Sequence, residues 1–124
     1  MKISSKALRL YAVTDRSWLK ENQTLTDSVE KAILGGVTIV QLREKNTDFE
    51  EQLSLAQELK TVCKKYNVPL IINDSVELAL KSGADGIHLG QSDGDIKKAR
   101  EILGDNAIIG ATAHNVNEAV SAFK

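Results

Sequence analysis

The chain has 124 residues, 42% of them apolar and 27% charged, and its 16 basic and 17 acidic side chains leave a formal net charge of −1. That length fits one domain of about 100 to 200 residues, and the near balance of charge, without a long basic run, sets nucleic acid aside as the main partner. A single cysteine excludes a disulfide framework or a cysteine-rich zinc site; with no signal-peptide core and no run of roughly 20 apolar residues, a cytoplasmic protein with no membrane association is expected.

Leu10-Tyr11-Ala12-Val13-Thr14 is the first of five short apolar runs and reads as a strand. Asp15 and Arg16 then open a long loop in which Trp18 and Leu19 read as packing residues. Thr24 and Asp27 have capping-box spacing ahead of a helical stripe of Leu25, Val29, Ala32 and Ile33, which Gly35-Gly36 closes. The second strand runs from Val37 to Leu42 and continues into Gln41-Leu42-Arg43-Glu44-Lys45, where alternation puts Gln41, Arg43 and Lys45 on one face. Thr47 with Glu50 is expected to cap a longer helix through Phe49, Leu53, Ala56, Leu59, Cys63 and Tyr66, with Cys63 a small buried hydrophobe.

Leu70-Ile71-Ile72 is the third strand, followed by Asn73-Asp74 and a helix after Ser75 carrying Val76, Ala79 and Leu80 up to Gly83. Gly86-Ile87-His88-Leu89 is the fourth, with Gln91 and Asp93 after it and a helix after Asp95 carrying Ile96, Ala99 and Leu103 up to Gly104. Ala107-Ile108-Ile109-Gly110-Ala111 is the fifth, followed by Thr112, His114 and a helix of Val116, Ala119, Val120 and Phe123, for which Asn115 and Glu118 form the box.

The order is therefore βαβαβαβαβα. Repeated crossovers of this kind demand a parallel sheet covered by helices, either an open doubly wound sheet or part of a (β/α)₈ barrel, and periodicity does not separate the two. In both, ligands bind at the C-terminal ends of the strands. Five sets of polar residues fall at those ends: Asp15 and Arg16, Arg43 and Lys45, Asn73 and Asp74, Gln91 and Asp93, Thr112 and His114.

Arg43 supplies a planar fork and Lys45 a point charge, a combination suited to the non-bridging oxygens of a diphosphate. Asp74 and Asp93 come from successive strand ends and would repel each other without a cation between them. Magnesium is the expected ion, because it takes few hard oxygen ligands and completes its octahedron with water and phosphate. The same aspartates are also a possible acid and base pair. Asn73-Asp74 is open to a plainer role as a turn or helix cap, although Ser75 is available for capping. His88 reads as a core or supporting histidine, and His114 as a helix N-terminal one. Neither a Walker-type loop nor a GxGxxG occurs, which argues against a P-loop enzyme and an ordinary dinucleotide fold.

With these residues in hand, the chain resembles the thiamine phosphate synthase family, a (β/α)₈ barrel that joins a pyrimidine diphosphate to a thiazole phosphate. The resemblance rests on Leu10 to Asp15, Gln41 to Lys45, Asn73-Asp74, Gly86 to Asp93 and Ile109 to His114, five ordered motifs at strand ends. It implies that Gln41, Arg43, Lys45 and Asn73 hold the pyrimidine diphosphate, with Arg43 and Lys45 as the catalytic cations. Asp74 and Asp93 would bind magnesium. Thr112 stands where the family commonly has serine and would keep the hydroxyl beside the pyrimidine. The implied reaction is a dissociative substitution in which pyrophosphate departs, a pyrimidine carbocation forms and the thiazole nitrogen attacks it.

A full barrel takes about 200 to 250 residues, so residues 1–124 are expected to be the N-terminal part of a single barrel domain, truncated to about five βα units. The thiazole phosphate pocket and the family's downstream lysine would then lie outside this chain, which is expected to have little synthase activity alone. Its expected partners are small-molecule substrates and either a second copy of itself or a complementary C-terminal half. Two alternatives stand beside the synthase: a thiazole tautomerase-like paralogue using His114, and a non-catalytic half-barrel acting in binding or assembly.

Overall fold

The computed structural model describes residues 5–45, 47–90, 96–112, 116–117 and 120. Its elements alternate in the expected order: β1 (Tyr11–Val13), α1 (Leu25–Leu34), β2 (Ile39–Leu42), α2 (Phe49–Lys65), β3 (Leu70–Asn73), α3 (Val76–Ser82), β4 (Gly86–Leu89), α4 (Ile96–Leu103) and β5 (Ile108–Ala111). Short 3-10 turns occupy Ser5–Leu8 and Arg16–Trp18. Of the expected fifth helix, residues 116, 117 and 120 are helical, while Asn115, Glu118, Ala119 and Phe123 lie outside the described residues.

The five strands form one parallel sheet in the order β1-β2-β3-β4-β5. A doubly wound sheet reverses its strand order at a switch point and carries helices on both faces. Here the order follows the chain without reversal, and the core against which the helices pack draws on one side of the sheet. Val40 and Leu42, Leu70 and Ile72, and Ile87 and Leu89 meet Leu25, Val29 and Ile33 of α1, Ala56, Leu59 and Cys63 of α2, Leu78 and Ala79 of α3 and Ala99 of α4. That is the wall of a (β/α)₈ barrel, five units long, which resolves the choice that periodicity left open. Each large apolar side chain in this layer contributes about 1.5–3 kcal/mol by leaving water.

The alternate strand residues face the concave side. Register places Val13 beside Gln41, Gln41 beside Ile71, Asn73 beside His88, and His88 beside Gly110. Polar residues at these positions are thereby gathered by the pleat, while their apolar neighbours hold the strands in place.

Of the helix starts among the described residues, those of α1 and α3 follow the sequence and that of α2 does not. Thr24 Oγ1 accepts from the Asp27 amide at 3.1 Å, and Ser75 Oγ from the Leu78 amide at 3.1 Å. The cap of α2 is Asp48, whose Oδ1 accepts from the Glu51 amide at 2.8 Å, and not Thr47. The Thr47 hydroxyl is engaged elsewhere, donating to Glu44 Oε2 at 3.0 Å.

At the end of the sheet away from the polar loops, Asp85 joins four elements. One carboxylate oxygen meets Lys60 Nζ of α2 at 2.9 Å and the other accepts from the Leu70 amide of β3 at 2.8 Å. Its own amide donates to Leu70 O at 2.9 Å, and its carbonyl accepts from the Ile108 amide of β5 at 2.9 Å.

Three outcomes follow, two for stability and one for reactivity. A Cβ on Gly86 would lie 2.0 Å from the Ile108 carbonyl oxygen, so Gly86→Ala should destabilise the chain by about 1–3 kcal/mol in a urea melt. Burial, with Asp85 adding to it and Lys60 opposing, pushes the Cys63 thiol up to about 11. The folded chain should therefore leave a thiol-specific reagent almost unreacted until denaturant is added. Between the ordinary value of 9.0 and about 11 the unfolded chain gives up this proton while the folded chain keeps it, so stability should fall as pH rises through that window.

Candidate functional site

β2 carries its two-residue alternation past its last paired residue. The Thr14 amide donates to Gln41 O at 2.9 Å and the Arg43 amide donates to Thr14 Oγ1 at 3.0 Å, so the tip of β1 holds the tip of β2 in register. Gln41, Arg43 and Lys45 thus reach the concave side, as the alternation predicts. Together with Asn73, His88, Gly90, Thr112, Tyr11 and Val13 they line a cleft of about 480 Å³ at the C-terminal ends of the strands. Five expected ligand-binding residues, Gln41, Arg43, Lys45, Asn73 and Thr112, are brought into one place.

Two side-chain amides in the cleft are oriented by each other. Asn73 Nδ2 donates to Gln41 Oε1 at 2.8 Å, and Gln41 Nε2 donates to the Tyr11 hydroxyl oxygen at 3.0 Å. Burial holds the Tyr11 phenol above its ordinary value, with the Gln41 bond opposing, so the ring stays neutral and keeps its proton as a donor. Across the cleft, His88 Nε2 and Thr112 Oγ1 are 2.8 Å apart. His88 is half-buried and faces the cleft, which fits the supporting role and not the core position among the two that the sequence offered.

The charged groups divide into paired and unpaired. Lys45 Nζ lies 2.9 Å from Asp74 Oδ2, in a pair whose side chains are 51% and 32% exposed. Asp74 adopts a left-handed backbone at φ 71°, its amide donating to His88 O at 3.0 Å. That conformation is uncommon for a residue with a Cβ, although Asp tolerates it better than most. Because Ser75 caps α3, the Asp74 carboxylate is left to meet Lys45, which lines the cleft. The exposed Arg43 guanidinium has no hydrogen-bond or ion-pair partner among the described residues.

Glu44 points the other way. Arg16 grips it with two parallel bonds, Nε to Oε1 at 2.9 Å and Nη2 to Oε2 at 2.7 Å, and the Glu44 side chain is only 7% exposed. This pairing raises the Arg16 pKa further above its ordinary value. Gln52 Nε2 donates to Glu44 O at 3.1 Å, tying the same backbone to α2. Arg16 is therefore not on the ligand rim where the sequence placed it, and neither is Asp15, whose carboxylate accepts from Ser17 N at 2.9 Å and Ser17 Oγ at 2.6 Å to cap the first loop's 3-10 turn.

Of the two expected metal carboxylates, only Asp74 is placed; Asp93, Gln91 and His114 lie outside the described residues. Among the described residues no three His, Cys, Asp or Glu side chains form a metal cage. One or two hard carboxylate ligands beside a phosphate site are nevertheless what magnesium takes. No helix among the described residues is long and apolar enough to cross a membrane.

Tyr11 and the Arg16–Glu44 clamp are the site residues that sequence reasoning missed. The face His88 shares with Gly86 and Gly90 was the one available sign that it looks inward.

Fold and cleft together define a barrel-wall protein whose strand ends form a cleft lined by two cations, Arg43 and Lys45. Residues 10–124 match the family described as thiamine monophosphate synthase, and the chain belongs to that family. It is 52% identical over 116 residues to the thiamine-phosphate synthase of Clostridium novyi, covering 94% of this chain and 56% of that one. It is 49% identical over 109 residues to a probable thiamine biosynthetic bifunctional enzyme of Schizosaccharomyces pombe, covering 88% of this chain and 21% of that one. Among solved structures, the thiamine phosphate pyrophosphorylase of Pyrococcus furiosus superposes with a TM-score of 0.85 at 35% identity, over 95% of this chain and 56% of that one. The chain thus spans about half the length of the thiamine-phosphate synthases it matches.

A Cβ on Gly110 would lie 2.8 Å from His88 Nδ1. Gly110→Ala should therefore displace the imidazole from Thr112, seen as a shift of the His88 ring nitrogens in ¹⁵N NMR, while the far-ultraviolet circular dichroism stays unchanged.

Proposed function

We propose that this chain carries the pyrimidine-diphosphate and magnesium side of a thiamine phosphate synthase site in thiamine biosynthesis. The observation that carries the reading is the Arg43 guanidinium, unpaired among the described residues and set in one cleft with Lys45 and the mutually oriented amides of Gln41 and Asn73. Family membership and the likeness to full-length synthases support it. On this reading residues 1–124 are the N-terminal part of a single barrel domain that works in the cytoplasm on small molecules. The thiazole phosphate pocket would come from barrel units outside residues 1–124, of the kind a complementary half would supply.

Arg43 would grip non-bridging oxygens of the diphosphate with its fork, and Lys45 would exchange Asp74 for the same group. That exchange is cheap, because a pair this exposed is worth only about 0–1 kcal/mol. Gln41 and Asn73, with orientations already fixed, would present amide groups to the pyrimidine, and the Thr112 hydroxyl would border the ring. Asp74, joined by Asp93, would hold magnesium, whose charge offsets that of the diphosphate when the ion is bound.

As the carbon–oxygen bond breaks, pyrophosphate leaves with the electron pair and the pyrimidine methylene becomes cationic; the thiazole nitrogen then forms the new carbon–nitrogen bond. Little proton transfer is needed. Arg43 and Lys45 act by stabilising negative charge that grows on the leaving group, and the fixed amides by orienting the ring.

Titration calorimetry of pyrophosphate into this chain should show binding that depends on magnesium. Arg43→Ala should weaken it by about 1.5–3 kcal/mol, the worth of hydrogen bonds to a charged group. Unchanged affinity in that variant, or no binding by the folded parent chain, would overturn the reading.

A further inference from the structure

An anion site whose two cations flank a carboxylate in sequence poses an electrostatic problem. Glu44 lies between Arg43 and Lys45, one peptide unit from each, and its charge is opposite to theirs. Strand alternation turns its side chain to the opposite side, but there it is nearly enclosed, with 7% of its side chain exposed. A carboxylate taken that far out of water needs a cation. Arg16 supplies one through its two-bond grip at 2.9 and 2.7 Å, and Thr47 Oγ1 adds a bond at 3.0 Å. No other cation pairs with Glu44 among the described residues.

We propose that Arg16 is a positioning residue: by satisfying Glu44 from the first loop, it keeps that carboxylate from drawing Arg43 or Lys45 out of the diphosphate cleft. This rests on the diphosphate reading of the cleft. Arg16 touches no ligand; its effect passes through Glu44, the residue that separates the two site cations. The rest of the local wiring fits. Glu51 meets Arg16 Nη1 at 3.3 Å, and Gln52 fixes the Glu44 carbonyl at 3.1 Å, so the guanidinium and the backbone it serves are both tied to the start of α2. With Arg16 gone, the nearest cations along the chain are the two that the site needs.

The arrangement has a distinctive signature, because removing one member of an enclosed ion pair strands the other, whereas removing both does not. Magnesium-dependent pyrophosphate binding is to be measured by calorimetry on the parent chain, Arg16→Ala, Glu44→Gln and the double variant, each with a thermal melt. Arg16→Ala should bind about tenfold more weakly or worse, and the double variant should return to within about threefold of the parent. A purely structural role for Arg16 leaves the double variant no better than the single one.

Parent-like binding by Arg16→Ala, or failure of the double variant to recover, overturns the proposal while the diphosphate reading stands. Absence of binding by the folded parent chain overturns that reading, and this proposal with it. Should Arg16→Ala not fold, Arg16→Lys keeps the charge but loses the fork. It should lose affinity by a smaller factor and regain it in Arg16→Lys with Glu44→Gln.

Discussion

The site depends on a period of two carried to the end of one strand. In Gln41-Leu42-Arg43-Glu44-Lys45 the odd positions face the cleft while Leu42 is anchored in the layer beneath the helices. Slipping the strand by one residue would bury Arg43 and expose Leu42, so apolar burial enforces the direction of the charges. The β1 tip adds a local lock, since Thr14 is bonded to β2 through both its amide and its hydroxyl. The cleft-facing chemistry is thus specified by packing on the opposite face of the same strand.

The cleft balances its charges without spending them. Lys45 rests on Asp74 in a wet, weak pair, whereas the enclosed and doubly bonded Glu44 belongs to Arg16. The first pair is suited to exchange and the second to permanence, a difference that follows from burial and from the geometry of ammonium against guanidinium. Orientation of the neutral groups is settled in the same way: Asn73, Gln41 and Tyr11 satisfy one another, so little rotamer freedom remains to be lost when a ligand arrives.

Much of this was legible in the sequence, for reasons that particular residues make clear. Strand and helix alternation, the shared face of Gln41, Arg43 and Lys45, and the capping of α3 by Ser75 are local, with spacings of two to four residues. What escaped was set by long-range register. Arg16 and Glu44 are 28 residues apart, Tyr11 and Gln41 30, and His88 and Thr112 24. Nothing in the local pattern pairs them. The α2 cap was ambiguous because Thr47 and Asp48 each precede a glutamate by three residues, and the tie was broken by Glu44 claiming the Thr47 hydroxyl. Barrel wall and doubly wound sheet share one periodicity, so it took the strand order and the one-sided helix layer to separate them. The pairing of Asp74 with Asp93, by contrast, lies beyond the described residues.

Asp85 has a consequence for how such a chain can change. It fastens α2, β3, β4 and β5 from the N-terminal end of the sheet, as far from the cleft as the strands allow. The bonds that keep the wall together and the residues that line the cleft are thus physically segregated. Rim loops can diversify under selection, or be grafted in the laboratory, without loosening this rivet. The scaffold can be inherited intact while its specificity drifts.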